Sequence, residues 1–347
     1  MNIEEFNREV QKQKSLFNIK ECFHHDKDEC KGKIKQAHSI QNNGRISIIA
    51  SEVNKNISLY TLTNFIYGEQ NMLKDLKPIG RKEASTFFGF CDFHDSKLFS
   101  PIENFEFDHD SEKHLFLHSY RSFAHSYHRK KEELNYWSNF EKNKMNNGSL
   151  FSQHMQSRMI GGNEIALAEL EKGKHYLDNA IANKNYDSLE YIVYQKEGLY
   201  PFAVSSQMSP KVTYSGKSMN NHYDPNIPYE NPIITFLPDK NSTIVIIAAF
   251  PFENKSITLL DELDSLNDLK LEKAITSLII ANCENTIISP LFWQNLSKKS
   301  QRKLLDEFTE NTINSTYSKK WFNSSFNFFD ENYEIEKLKK KTAANNV

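Results

Sequence analysis

A cysteine and a histidine three residues apart, Cys91 and His94, stand where a β-rich run gives way to a helical pattern. Two further cysteines, Cys22 and Cys30, lie upstream with His24 and His25 between them. Four Cys in 347 residues do not make a disulfide framework. Three of the four keep company with histidine, which is the pattern of a metal site in a reducing compartment. Zinc takes four ligands at tetrahedral corners, drawn from thiolate and imidazole. Cys91 and His94 supply two from one knuckle, and Cys22 and Cys30 supply two from a loop wider than is usual between paired ligands. His24 or His25 could replace one of those cysteines. The expected set is Cys22, Cys30, Cys91 and His94 around one structural Zn²⁺. Residues 19–45 are too polar to build a core alone, so the metal is their expected organiser.

Composition narrows the class. The apolar share is low at 38%, but 25 Phe and 15 Tyr compensate, because aromatic rings bury large areas. The formal charge of -2 excludes a global basic field, although a local basic face is still open to the 43 Lys and Arg. No apolar run reaches the roughly 18–20 residues that span a bilayer. The polar, acidic start at Met1–Phe6 is no secretory signal. The expectation is a cytoplasmic protein without a membrane partner, and the wealth of Asn, Lys and Ile points to an AT-rich bacterial genome.

The fold expected is α+β, in three stretches. Residues 1–105 form the zinc module. It holds a helix in 1–18, strands at Arg45–Ala50 and Ile57–Leu62, a turn at Pro78–Gly80 and a strand at Ala84–Phe90. Residues 106–204 are helical, with one helix over 111–145 capped by Ser111, a second over 164–182 and a strand start at Leu189–Tyr194. Residues 205–347 form an α+β region. It opens with a long loop over 205–232 and has a β-hairpin from Ile233–Leu237 and Thr243–Phe250. Helices near 269–283 and 297–312 follow, then a frayed lysine-rich tail.

The order of motifs carries a resemblance. The cysteine pair, then Ala37-His38-Ser39-Ile40, then Phe90-Cys91-Asp92-Phe93-His94-Asp95 entering a helix with Phe99, is similar to the treble-clef layout of HNH-type nucleases. The resemblance covers residues 20–100 and implies a zinc knuckle bracing a ββα metal finger. It makes His38 the general base and places Asp95 where the family carries a cation-binding histidine. A carboxylate there suits Mg²⁺ or Mn²⁺. Ala37 and the Ser85-Thr86 neighbourhood depart from the family's usual residues. From the residues alone His38 is open to three roles: base, zinc ligand or structural imidazole.

A second constellation lies on the long helix. His118, Arg121, His125 and His128 share one stripe at spacings of three and four. Arg121, Arg129, Lys130 and Lys131 could grip nucleic-acid phosphate, and Arg121-x6-His128 also resembles the loose motif of HEPN ribonucleases. The same face could instead pack on the zinc module. No Walker-type or dinucleotide-binding glycine pattern is present. Trp293 and Cys283 read as core. Two functions follow as expectations. One is a zinc protein acting on or binding nucleic acid, an HNH-like metal-dependent endonuclease in a toxin or phage-defence setting. The other is a non-catalytic, zinc-stapled protein that binds a partner protein.

Overall fold

The apolar run from Thr243 to Phe250 is buried residue by residue. That requires a strand covered on both faces, and the fold is layered around it. The computed structural model describes residues 3–62, 65–67, 73–140, 150–221, 224, 226–312, 322–329 and 334–341. In chain order these form α1 (Ile3–Leu16), β1 (Ile34–His38), a π-helical turn (Asn42–Ile46) leading into the short α2 (Ser47–Ile49), β2 (Ser51–Val53), β3 (Asn56–Thr61), β4 (Phe65–Tyr67), β5 (Leu73–Leu76), β6 (Ile79–Gly80), β7 (Thr86–Cys91) and α3 (Asp92–Asn104). The long helices α4 (Glu112–Ser138) and α5 (Leu150–Ala182) follow, then β8 (Glu190–Glu197), β9 (Phe202–Gln207), β10 (Ile233–Pro238) and β11 (Ser242–Ala249). The chain continues through α6 (Asn254–Asp264), α7 (Asp268–Asn282), β12 (Thr286–Ile288), α8 (Pro290–Asn295), α9 (Lys298–Thr312) and β13 (Ile335–Lys341).

One antiparallel sheet runs β13-β8-β11-β10-β9-β12-β3-β2, with β6 also paired to β3. It draws strands from all three stretches of the chain. Alternate side chains face two cores. Tyr191, Val193, Ile244, Ile246 and Ala248 join α4 and α5 on one side. Ile192, Tyr194, Val245 and Ile247 meet α6, α7 and α9 on the other. Helix α4 is buried continuously from Leu115 to Ala124. Its Ser122 hydroxyl meets Ser205 at 2.8 Å and Thr235 at 2.9 Å on the sheet. A different part of its surface carries a separate two-stranded ladder, β1 antiparallel to β7, which runs straight into α3. Phe90 and Phe99 from that unit reach Tyr120 of α4.

The mixed α+β class expected from the sequence is present, as are the strands β3, β7, β8, β10 and β11. Ser111 caps α4 by accepting from the His114 amide at 3.3 Å. Several expectations need correction. Arg45–Ala50 is not a strand: Gly44 turns the chain at φ +87, its amide bonds the Ser47 hydroxyl at 3.0 Å, and Arg45 ion-pairs with Asp239 at 2.9 Å. Residues 79–80 add a short strand to β3 rather than a turn. Helix α5 begins at Leu150 and runs through Gly161 and Gly162. Helix α4 stops at Ser138, short of the expected 145, with Asn139 closing it by bonding the Asn135 and Trp137 carbonyls; Asn146–Gly148, where the end was expected, lie outside the described residues. The stretch 205–207 belongs to β9. The lysine-rich tail is a paired strand, β13, not a frayed end.

Candidate metal centre and the polar cluster beside it

Residues 21–23 lie alongside β7 through amide bonds from Glu21 to the Phe88 carbonyl (3.2 Å) and from Phe23 to the Gly89 carbonyl (2.6 Å). A Cβ at position 89 would collide with the Phe87 ring, so glycine there leaves room for that ring on the same strand. Phe23 then drops into a pocket of Phe90, Tyr120, Phe123 and Tyr127. Cys22, next to it, faces the start of α3. The loop returns through Gly32, at φ +76, whose added Cβ would lie 2.7 Å from the Asp92 carboxylate. Cys91 is the N-cap of α3, and its sulfur accepts from the His94 amide at 3.4 Å.

These local choices bring Cys22, Cys30, Cys91 and His94 together, with every ligand atom within 4.8 Å of the others. The His94 Nδ1 lies 3.4 Å from Cys22 Sγ, 3.6 Å from Cys30 Sγ and 3.3 Å from Cys91 Sγ. The four could hold one metal ion. Cys22, Cys91 and His94 are buried and Cys30 is half-buried. Burial, then the neighbouring Cys22, push the Cys30 thiol up to about 12, and burial also raises Cys22. Burial would raise Cys91 too, but the amides of His94 and Lys31 outweigh it and its thiol is lowered. Three crowded sulfurs with one thiolate favoured form a donor set that a cation would complete. The His24 ring stacks on His94 at 3.9 Å and on His25 at 4.5 Å. Neither His24 nor His25 belongs to the four-residue cluster.

His38 is outside the cluster as well. It closes β1 opposite Thr86, with Nε2 buried and without a partner. Burial lowers its pKa, Arg121 lowers it further, and Glu103 opposes both. Asp95, one residue past His94, has a buried Oδ1 with no partner. Burial raises its pKa, Arg121 opposes this, and Glu103 adds to it. His38 and Asp95 thus feel the same ion pair, Arg121 Nη2 to Glu103 Oε1 at 2.6 Å.

The four basic residues do not form one free strip. Arg121 is 2% exposed and committed to Glu103. Arg129 pairs with Glu132 at 2.6 Å, Lys130 with Glu133 at 2.8 Å, and Lys131 with Glu21. His128 lies 3.2 Å from Glu132. Glu103 is the residue that sequence reasoning missed; its signal was the Asp95, Phe99, Glu103 spacing of four and four on one helix. Among the described residues no helix is long and apolar enough to cross a membrane. Comparison with family models, curated proteins and solved structures gave no match.

Proposed function

We propose that the N-terminal unit is a zinc-braced, HNH-like nuclease module. Cys22, Cys30, Cys91 and His94 hold Zn²⁺, and His38 and Asp95 act on a phosphodiester. The zinc assignment is supported by spacing. Bonds of about 2.3 Å to sulfur and about 2.0–2.1 Å to nitrogen at tetrahedral angles separate N from S by roughly 3.5 Å, and the observed separations are 3.3–3.6 Å. Zinc at this site is structural, because all four positions are filled by protein.

The observation that carries the catalytic reading is the β1–β7–α3 unit. It carries both His38 and Asp95, each with an unpartnered buried atom and neither in the Cys and His cluster, and both feel the half-buried Arg121–Glu103 ion pair. A neutral imidazole with a free Nε2 can take a proton from water. The orphan Asp95 oxygen is a hard donor of the kind Mg²⁺ and Mn²⁺ select, and a cation there would supply charge stabilisation at the leaving oxygen.

The test is metal analysis of the purified chain, followed by incubation with plasmid and RNA in Mg²⁺ or Mn²⁺. One equivalent of zinc is expected, with cleavage that His38→Ala reduces at least about 100-fold, as loss of a general base does. Intact nucleic acid under every metal overturns the catalytic reading. A second reading, a zinc-stapled protein that binds a partner protein, is favoured by Arg129, Lys130 and Lys131 each being ion-paired. Stable capture of a protein partner by the metal-loaded chain, without nucleic-acid cleavage, would select it.

A further inference from the structure

The four donors of the metal centre are not equally shielded. Cys22 is 4% exposed, Cys91 1% and His94 2%, whereas Cys30 is half-buried. Cys30 ends a surface turn closed by short-range bonds, from its own amide to the Lys27 carbonyl at 3.1 Å and from the Glu29 amide to Asp26 Oδ1 at 3.1 Å. The turn hangs between two backbone anchors. Before it, the Phe23 amide bonds the Gly89 carbonyl, and after it the Lys31 carbonyl accepts from the Phe93 amide at 3.3 Å. Its tie to α3 through Glu29 and Lys97, 3.2 Å apart, is an exposed pair of the kind that contributes little. Cys91 is held more firmly: it pairs with Ile34 in the β1–β7 ladder, and its sulfur accepts the His94 amide at 3.4 Å. The three sulfurs lie within 4.8 Å of one another. A disulfide needs about 2.05 Å, which a short movement of the turn supplies.

We infer that the metal centre is a peroxide-responsive thiol switch: Cys30 is the sulfur that meets the oxidant, and it closes a disulfide on Cys22 that releases the zinc. The inference rests on the zinc assignment and not on the catalytic roles of His38 and Asp95. A thiol that coordinates a divalent metal is deprotonated, and the thiolate is the nucleophile. Of the three sulfurs, Cys30 is the one open to a solvent-borne peroxide. It attacks one peroxide oxygen, the O–O bond breaks and hydroxide leaves, giving a sulfenic acid. The Cys22 thiolate then attacks the Cys30 sulfur, the S–O bond breaks and a second hydroxide leaves. Each hydroxide takes a proton from solvent. Two thiolates have given two electrons to one peroxide, which ends as two waters. Cys22 is the partner because a bridge to Cys91 would draw that sulfur off the first turn of α3, which it caps. Cys91 and His94 alone are half of the four-ligand set, too few to keep a structural zinc. A thiol reductant reverses the bridge by exchange.

The experiment treats the full-length, zinc-loaded protein with hydrogen peroxide in the absence of nucleic acid. Released zinc is read with a chromogenic chelator, and the bridge is located by peptide mass mapping after alkylation of the remaining thiols. Zinc release is expected to keep step with a Cys22–Cys30 bridge, with Cys91 and the buried Cys283 still alkylated after unfolding. Dithiothreitol is expected to restore zinc binding. Cys30→His keeps a fourth zinc donor and removes the open thiolate, so it is expected to slow release at least ~10-fold. Should Cys30→His bind no zinc, the wild-type map decides alone: Cys30 joined to Cys91, or sulfonic acids in place of a bridge, overturns the inference. Zinc that stays bound through the treatment overturns the inference and leaves the zinc assignment standing. A chain that takes up no zinc removes the assignment itself, and the switch falls with it.

Discussion

Cys91 joins two tasks in one side chain, because its sulfur both caps α3 and faces the other three donor atoms. Serine is a good N-cap and a poor zinc ligand, so substitution can separate the two. On the proposed zinc assignment, Cys91→Ser is expected to abolish zinc binding while keeping the start of α3 in the metal-free protein. Cys91→Ala is expected to lose the metal and a further ~1 kcal/mol from the vacant cap. Zinc stoichiometry and urea unfolding with chelator present would show the two losses apart. At this level the sequence was informative. The Cys91 and His94 knuckle was visible because both ligands lie within one helical turn. Cys22 and Cys30 were visible as chemistry, but the docking of residues 21–23 on β7 depends on the Glu21 and Phe23 amides and on the aromatic pocket that takes Phe23, which no spacing rule selects. Glu103 stayed hidden because an acid on a helix is ordinarily solvated, and only the arrival of Arg121 from α4 gives it a partner.

Strand β8 shows what pairing between distant elements adds. Its Lys196 is buried and meets Glu272 of α7, which also accepts from Asn327 at 2.9 Å. Its outer edge is covered by β13, whose Lys339, Lys340 and Lys341 reach Glu112, Asp261 and Asp187 on three separate parts of the chain. A lysine run reads as a solvated tail when its counter-charges lie more than 70 residues away, as those of Lys339, Lys340 and Lys341 do. The β10–β11 hairpin, by contrast, was legible because strand, turn and strand are contiguous. The buried pair gives the sharper prediction. Lys196→Met leaves the Glu272 carboxylate buried without its cation and is expected to cost about 3–5 kcal/mol. The double substitution with Glu272→Met is expected to recover most of that, since two apolar groups replace two desolvated charges. Urea unfolding of the three proteins would test it, and a double variant no better than Lys196→Met would count against a simple ion-pair account.

The molecule as a whole holds several imidazoles neutral. Burial pushes His118 and His125 well below their usual value, and the nearby Arg45, Arg121 and Arg129 act in the same direction. In the unfolded chain each titrates near 6.5. Above that pH both states are neutral and these groups contribute nothing to pH dependence. As pH falls below 6.5 the unfolded chain takes up protons that the native state refuses, so stability drops, by up to about 1.4 kcal/mol per pH unit for each histidine. Glu253 works in the opposite sense. Burial raises it to about 7 from 4.5, so the folded state binds its proton first and stability falls as pH rises from 4.5 through 7. Two histidines outweigh one glutamate between pH 6.5 and 5, and the melting temperature is expected to fall across that window. Glu253→Gln removes the opposing contribution and is expected to steepen the fall. Release of metal at low pH would also lower the melting temperature, so the scan should be repeated on Cys91→Ser with chelator. A decline that persists there assigns it to the buried imidazoles around α4, whereas a flat profile assigns it to the metal centre.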